Sequence, residues 1–116
     1  MSTPEATIFD LVGQPRHGGG LSNVATVIGE LLDDAKVDLD LLANAAANYP
    51  SAIVQRTGWM IDHVAAEIGK SFDLTRLEAV ASQRTERTLL SSSGPRRGST
   101  NRRWNVVVNT EVESDL

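Results

Sequence analysis

Apolar residues recur at helical spacing through most of the chain and change to a two-residue alternation only near its end. Ile8, Phe9, Leu11 and Val12 make a short first stripe. Ser2 or Thr3 is placed to cap it, Pro4 suits a first helical turn, and Ser2-x-x-Glu5 has the spacing of a capping box. Gly13 and Pro15 end this helix after about ten residues. A second stripe of Leu21, Val24, Val27, Ile28, Leu31 and Leu32 follows the steps of one helical face, with Ser22 or nearby backbone as its cap.

Asp33, Asp34 and Lys36 break the pattern before a third helix from about Asp38 to Asn48, with Leu39, Leu42, Ala43, Ala46 and Tyr49 inward. Pro50 punctuates the chain, because the residue before proline avoids the helical region. The longest helix then spans about Ala52 to Gly69, its stripe formed by Ile53, Ile61, Val64, Ala65 and Ile68 and widened by Val54, Trp59 and Met60. Gly58 inside it costs about 1 kcal/mol relative to alanine, so a neighbour packed on bare backbone is expected there. A fifth helix runs from Leu74 to about Ser82, capped by Asp73 or Thr75.

After Gln83 the period changes. Arg87–Leu90 reads as a short strand, residues 91–99 as a polar loop, and Trp104–Asn109 as a strand with Trp104, Val106 and Val108 on one face. Two strands around a loop are marginal unless they pack on the helices. The expectation is one α+β domain over residues 1–116: about five packed helices and a small C-terminal β-hairpin.

Composition narrows the function. At 116 residues with 41 % hydrophobic and 22 % charged positions, the chain suits one modest core. Aromatics are only 4 %, which favours helices of Leu, Val, Ile and Ala. There is no cysteine, which excludes disulfides and thiolate metal sites and suits a reducing cytoplasm. No apolar run approaches the roughly 20 residues of a membrane span, and the first residues do not resemble a signal peptide. The expectation is a cytoplasmic protein with no membrane partner.

Catalytic chemistry finds little support. His17 sits in a glycine loop and His63 on the long helix, with no H-E-x-x-H spacing, so neither marks a metal site. Gly18-Gly19-Gly20 precedes a helix, whose N-terminus attracts phosphate, yet neither dinucleotide nor P-loop glycine spacing is present, and it reads as a plain loop. Asp33-Asp34 and Asp38-x-Asp40 read as solvated helix ends. No catalytic residue, metal or cofactor is expected.

Charge distribution is more informative than the net value of −4. Residues 1–83 hold five basic residues against eleven acids, whereas residues 84–103 hold six arginines against Glu86 alone. Those six are Arg84, Arg87, Arg96, Arg97, Arg102 and Arg103. Guanidinium forks bind phosphate oxygens and carboxylates in pairs, so this segment reads as a contact surface for nucleic acid or an acidic partner. The competing reading is a soluble loop neutralised in cis by Glu111, Glu113 and Asp115.

Three stretches resemble one family. Ser2–Thr7 with Asp10-Leu11-Val12 and Gly19–Val27 is similar to a segment of the C-terminal domain of AbiEi-type antitoxins, regulators of type IV (abortive infection) toxin–antitoxin systems. Tyr49-Pro50 with Val54–Ile61 resembles that family's Arg-Leu-Gly helix, with Thr57 in place of the usual leucine and Trp59 where Tyr or Phe is common. Arg103–Asn109 with Glu113–Leu116 resembles its closing strand and tail. Family members usually begin with an operator-binding winged helix-turn-helix, so the resemblance implies a chain that starts inside the C-terminal domain, as a truncated product, a displaced start or a minimal antitoxin. It also implies a neighbouring nucleotidyltransferase-like toxin, counteracted by non-catalytic binding without the need for a stable complex. Two alternatives stay open: a DNA-binding regulator that uses the arginine segment, and an inactive fragment. The resemblance adds Arg56, Trp104 and Asn105 as residues positioning the arginine surface, with Arg56 among the contact residues.

Overall fold

The computed structural model describes residues 3–83 and 86–114; Ser2, Arg84, Asp115 and the side chain of His17 lie outside that description. Five helices, α1 (Pro4–Gly13), α2 (Leu21–Asp33), α3 (Leu39–Ala46), α4 (Ser51–Ile68) and α5 (Thr75–Ala81), precede three short strands, β1 (Thr88–Leu89), β2 (Ser99–Asn101) and β3 (Val106–Val108). The architecture is α+β, as the hydrophobic pattern predicts.

The central element is α4, which packs against α1, α2 and α5 on its helical side and against β1 and β3 on the other. Val54, Trp59, Met60, Ile61, Val64 and Ala65 are buried on it, so most of its circumference is covered. An α-helix can be apolar this far round only where neighbours enclose it. Ile8, Phe9, Val24, Ile28, Leu42 and Leu77 close the core from the other helices.

The helix ends show how the segments are joined. Thr3 caps α1, its hydroxyl accepting from the Ala6 amide at 3.1 Å. Glu5 is not part of a capping box with the described residues. It is 4 % exposed, and its Oε2 accepts the Asp38 amide at 3.0 Å, tying α1 to the entry of α3. Asp38 in turn caps α3 by accepting from the amides of Asp40 and Leu41. Gly20, at φ 96°, leads into α2 with no side-chain cap. Ser22, expected as that cap, instead accepts the Glu113 amide at 3.0 Å and holds the C-terminal tail. Gly69 ends α4 in the left-handed conformation, φ 68°.

The sheet differs in detail from the two-strand expectation. Its order is β1-β3-β2, with β1 parallel and β2 antiparallel to β3. The hairpin partner of β3 is therefore Ser99–Asn101, at the end of the polar loop, while Thr88–Leu89 joins from the other side. The polar side chains of β2 concealed it: two of its three residues are exposed, so no apolar alternation marked it. Trp104 falls in the turn, not in the strand. Asn101 Oδ1 accepts the Trp104 amide at 3.1 Å and Asn105 takes a left-handed φ of 55°, delaying the strand to Val106. Beyond β1 the Asn109 side chain extends the ladder, accepting the Ser91 amide and donating to the Ser91 carbonyl, both at 2.8 Å.

Candidate binding surface and adjoining cleft

One face of α4 holds the C-terminal segment in place, and the arginine surface hangs from it. Gln55, 3 % exposed, donates from Nε2 to the carbonyls of Glu86 at 3.0 Å and Trp104 at 3.1 Å. Arg56 donates from Nε to the Leu89 carbonyl at 2.7 Å. At Gly58 the absence of a side chain admits the Trp104 ring, and Asp62 Oδ2 accepts the indole N–H at 2.6 Å. His63 Nε2 lies 2.9 Å from the Val112 carbonyl and 2.9 Å from Glu67 Oε1. A carbonyl only accepts, so this ring nitrogen carries a proton. Positions 55, 58, 62 and 63 follow the helical repeat, and this is why one stripe of α4 reaches the sheet, its turn and the tail together.

The predicted arginines divide into engaged and free groups. Arg103 is engaged: Nη1 pairs with Asp62 at 3.0 Å, Nε with Glu78 at 3.2 Å, and the guanidinium lies 5.1 Å from the Trp104 ring centroid. Arg56 is half-buried, and burial without a compensating carboxylate pushes its guanidinium below its usual pKa. Among the described residues, Arg87, Arg96, Arg97 and Arg102 are exposed and make no hydrogen bond or ion pair. Arg84 lies outside the described residues.

The sheet separates these free arginines. Thr88 pairs with Val106, so Arg87 lies at the Val106 end, where the turn carrying Arg102 also lies. Arg96 and Arg97 precede Ser99, which pairs with Val108, and so lie at the other end. A three-residue ladder separates the two ends by about 7 Å. The arginine-rich segment therefore presents two positive spots and not one continuous row. Glu111 and Glu113 form no ion pair with any described arginine, so neutralisation in cis finds no support among the described residues.

A cleft of about 670 Å³ opens beside Arg56, between the end of α1, the 3-10 turn Pro15–Gly18, the start of α2, and residues 90–93 and 110–111. Arg16, Ser92, Ser93 and Glu111 line it. Sequence inspection did not single out Arg16 or this cleft, because its walls come from four separated segments. Among the described residues no group of three His, Asp or Glu side chains is placed to hold a metal ion, and no helix is long and apolar enough to cross a membrane.

The family model described as the AbiEi antitoxin C-terminal domain matches residues 1–63, more than half of the chain. The chain belongs to this antitoxin family. No curated protein and no solved structure matches it. The AbiEi match covers α1 to α3 and α4 as far as His63, including the whole stripe from Gln55 to His63 that fastens the sheet. Within the AbiEi-like Arg-x-Gly segment, Arg56 bonds to β1, Thr57 faces the core, and Gly58 receives Trp104. The free arginines lie beyond the matched residues.

Proposed function

We propose that this chain acts as the antitoxin of a type IV toxin–antitoxin pair, counteracting a nucleotidyltransferase-like toxin in the cytoplasm by binding and not by catalysis. Membership of the AbiEi antitoxin family carries this reading. Arg87, Arg96, Arg97 and Arg102, exposed and without partners among the described residues, supply the contact surface. Arg56 and Arg103 serve it from behind, by holding β1 and the β2–β3 turn on α4. Antitoxins of this class do not need a stable complex, so the decisive readout is growth and not co-purification.

The test is induction of the adjacent toxin gene with and without this chain, beside an Arg96→Ala/Arg97→Ala variant. Rescue by the native chain and its loss in the variant is the expected result. A toxic neighbour that the soluble native chain fails to counter would overturn the reading.

The second reading is a DNA-binding regulator, favoured by the same exposed guanidinium groups. DNA binding through four arginines would fall steeply with salt, the logarithm of affinity dropping by roughly 0.9 per phosphate contacted for each decade of salt. Affinity flat with salt would remove this alternative.

A further inference from the structure

The cleft beside Arg56 contains a charge that the described fold leaves unanswered. Arg56 is half-buried, its Nε is spent on the Leu89 carbonyl, and its two terminal nitrogens have no partner among the described residues. No carboxylate offsets the burial that depresses its pKa. A guanidinium partly withdrawn from water in this way gains from an anion beside it.

The surroundings suit an oxyanion. Arg16 lines the same cleft, is exposed, and its guanidinium has no partner among the described residues. Ser92 and Ser93 also line the cleft. The entry of α2 borders the space and has no side-chain cap, and the Leu21 and Ser22 amides of its first turn have no partner among the described residues. These amides only reinforce a site that Arg56 and Arg16 define. Glu111 is the single acid in the lining, so positive charge prevails. The volume, about 670 Å³, lies in the range of small-molecule sites.

We propose that this cleft binds a small phosphorylated molecule, with the free fork of Arg56 and the guanidinium of Arg16 gripping its phosphate oxygens. Paired N–H donors match phosphate geometry in a way that a point charge does not. The site is separate from the exposed arginines of the sheet ends and does not depend on their role.

The test is an NMR titration of the full chain with inorganic phosphate and with pyrophosphate, at constant ionic strength and against a chloride control. Saturable shifts at the amides of residues 20–22 and 91–93 are expected, with pyrophosphate the tighter ligand. Arg16→Ala should weaken binding by about tenfold, the effect of losing one charge-assisted hydrogen bond. Arg56→Lys should weaken it as well, since lysine keeps the charge and loses the fork. Glu111→Gln should tighten it. Arg16 and Glu111 are exposed, so their variants keep the test valid even if substitution at Arg56 disturbs the fold. Shifts that never saturate, or pyrophosphate affinity unchanged in Arg16→Ala, would overturn the proposal. So would binding of an oligonucleotide that neither phosphate nor pyrophosphate reproduces.

Discussion

The indole of Trp104 rests on the backbone of Gly58, so closely that a Cβ built on Gly58 would lie 2.2 Å from the ring. Trp104 is 1 % exposed, and its N–H is held by Asp62 at 2.6 Å. Neither partner can retreat: one is the middle of a buried helix, the other a large ring tethered at its far edge. The contact joins the family-matched helix to the C-terminal turn.

Gly58→Ala should therefore destabilise the protein by about 2 kcal/mol through overpacking, although alanine is the better helix former by about 1 kcal/mol. Urea unfolding of Gly58→Ala, Trp104→Leu and the double variant checks the cause. In the Trp104→Leu background the alanine should be neutral or stabilising. An equal penalty in both backgrounds would mean that the ring is not what excludes the methyl group.

Thr57 is fully buried on α4, and its hydroxyl has no hydrogen-bond partner among the described residues. A buried unsatisfied hydroxyl costs about 1–3 kcal/mol, whereas valine has the same shape without the polar atom. Thr57→Val should raise stability by about 1 kcal/mol, a rise in Tm of about 4 °C for a domain of this size. Calorimetry decides it, and a lower Tm would show that the hydroxyl is bonded.

Asp73 lies two residues before α5, whose N-cap position is Leu74, and its carboxylate is held below the usual carboxylate range by hydrogen bonds from the Thr75 side chain and backbone, the latter at 3.1 Å. A lowered folded-state pKa means that the ionised form is favoured by folding. Its contribution is therefore present above the unfolded value of about 3.9 and is lost as pH falls through the folded one. The group is fully exposed, so the effect is small. Asp73→Asn should flatten the acid limb of a stability–pH curve while leaving its shape near neutrality. An unchanged acid limb would contradict the assignment.

Arg103 and the Arg96–Arg97 pair should behave oppositely when removed. Arg103→Ala breaks the pairs with Asp62 and Glu78 and uncovers Trp104, so stability should fall by about 1 kcal/mol, a modest figure because the pairs are partly solvated. Arg96→Ala/Arg97→Ala should leave Tm unchanged and act only on toxin rescue or DNA binding. A large drop in Tm for that double variant would make the pair structural.

Helix positions and the α+β class were legible from residue order alone, because helical periodicity and caps are local properties. The stripes of α2 and α4, the break at Tyr49-Pro50 and the Thr3 cap follow from steps of three and four residues and from the hydrogen-bonding reach of short polar side chains. Even the need for a close neighbour at Gly58 was readable, since glycine in a helix interior is costly without one. The identity of that neighbour was not, because Trp104 arrives from 46 positions further along the chain. Long-range pairing made the remaining choices. It paired polar Ser99–Asn101 with β3, assigned Glu5 to α3, split the described arginines between two ends of the sheet, and left Arg56 facing a cleft without a counter-ion among the described residues. Local sequence carries no record of these distant partners; they are decided only when packing of the helices brings separate segments within hydrogen-bond distance.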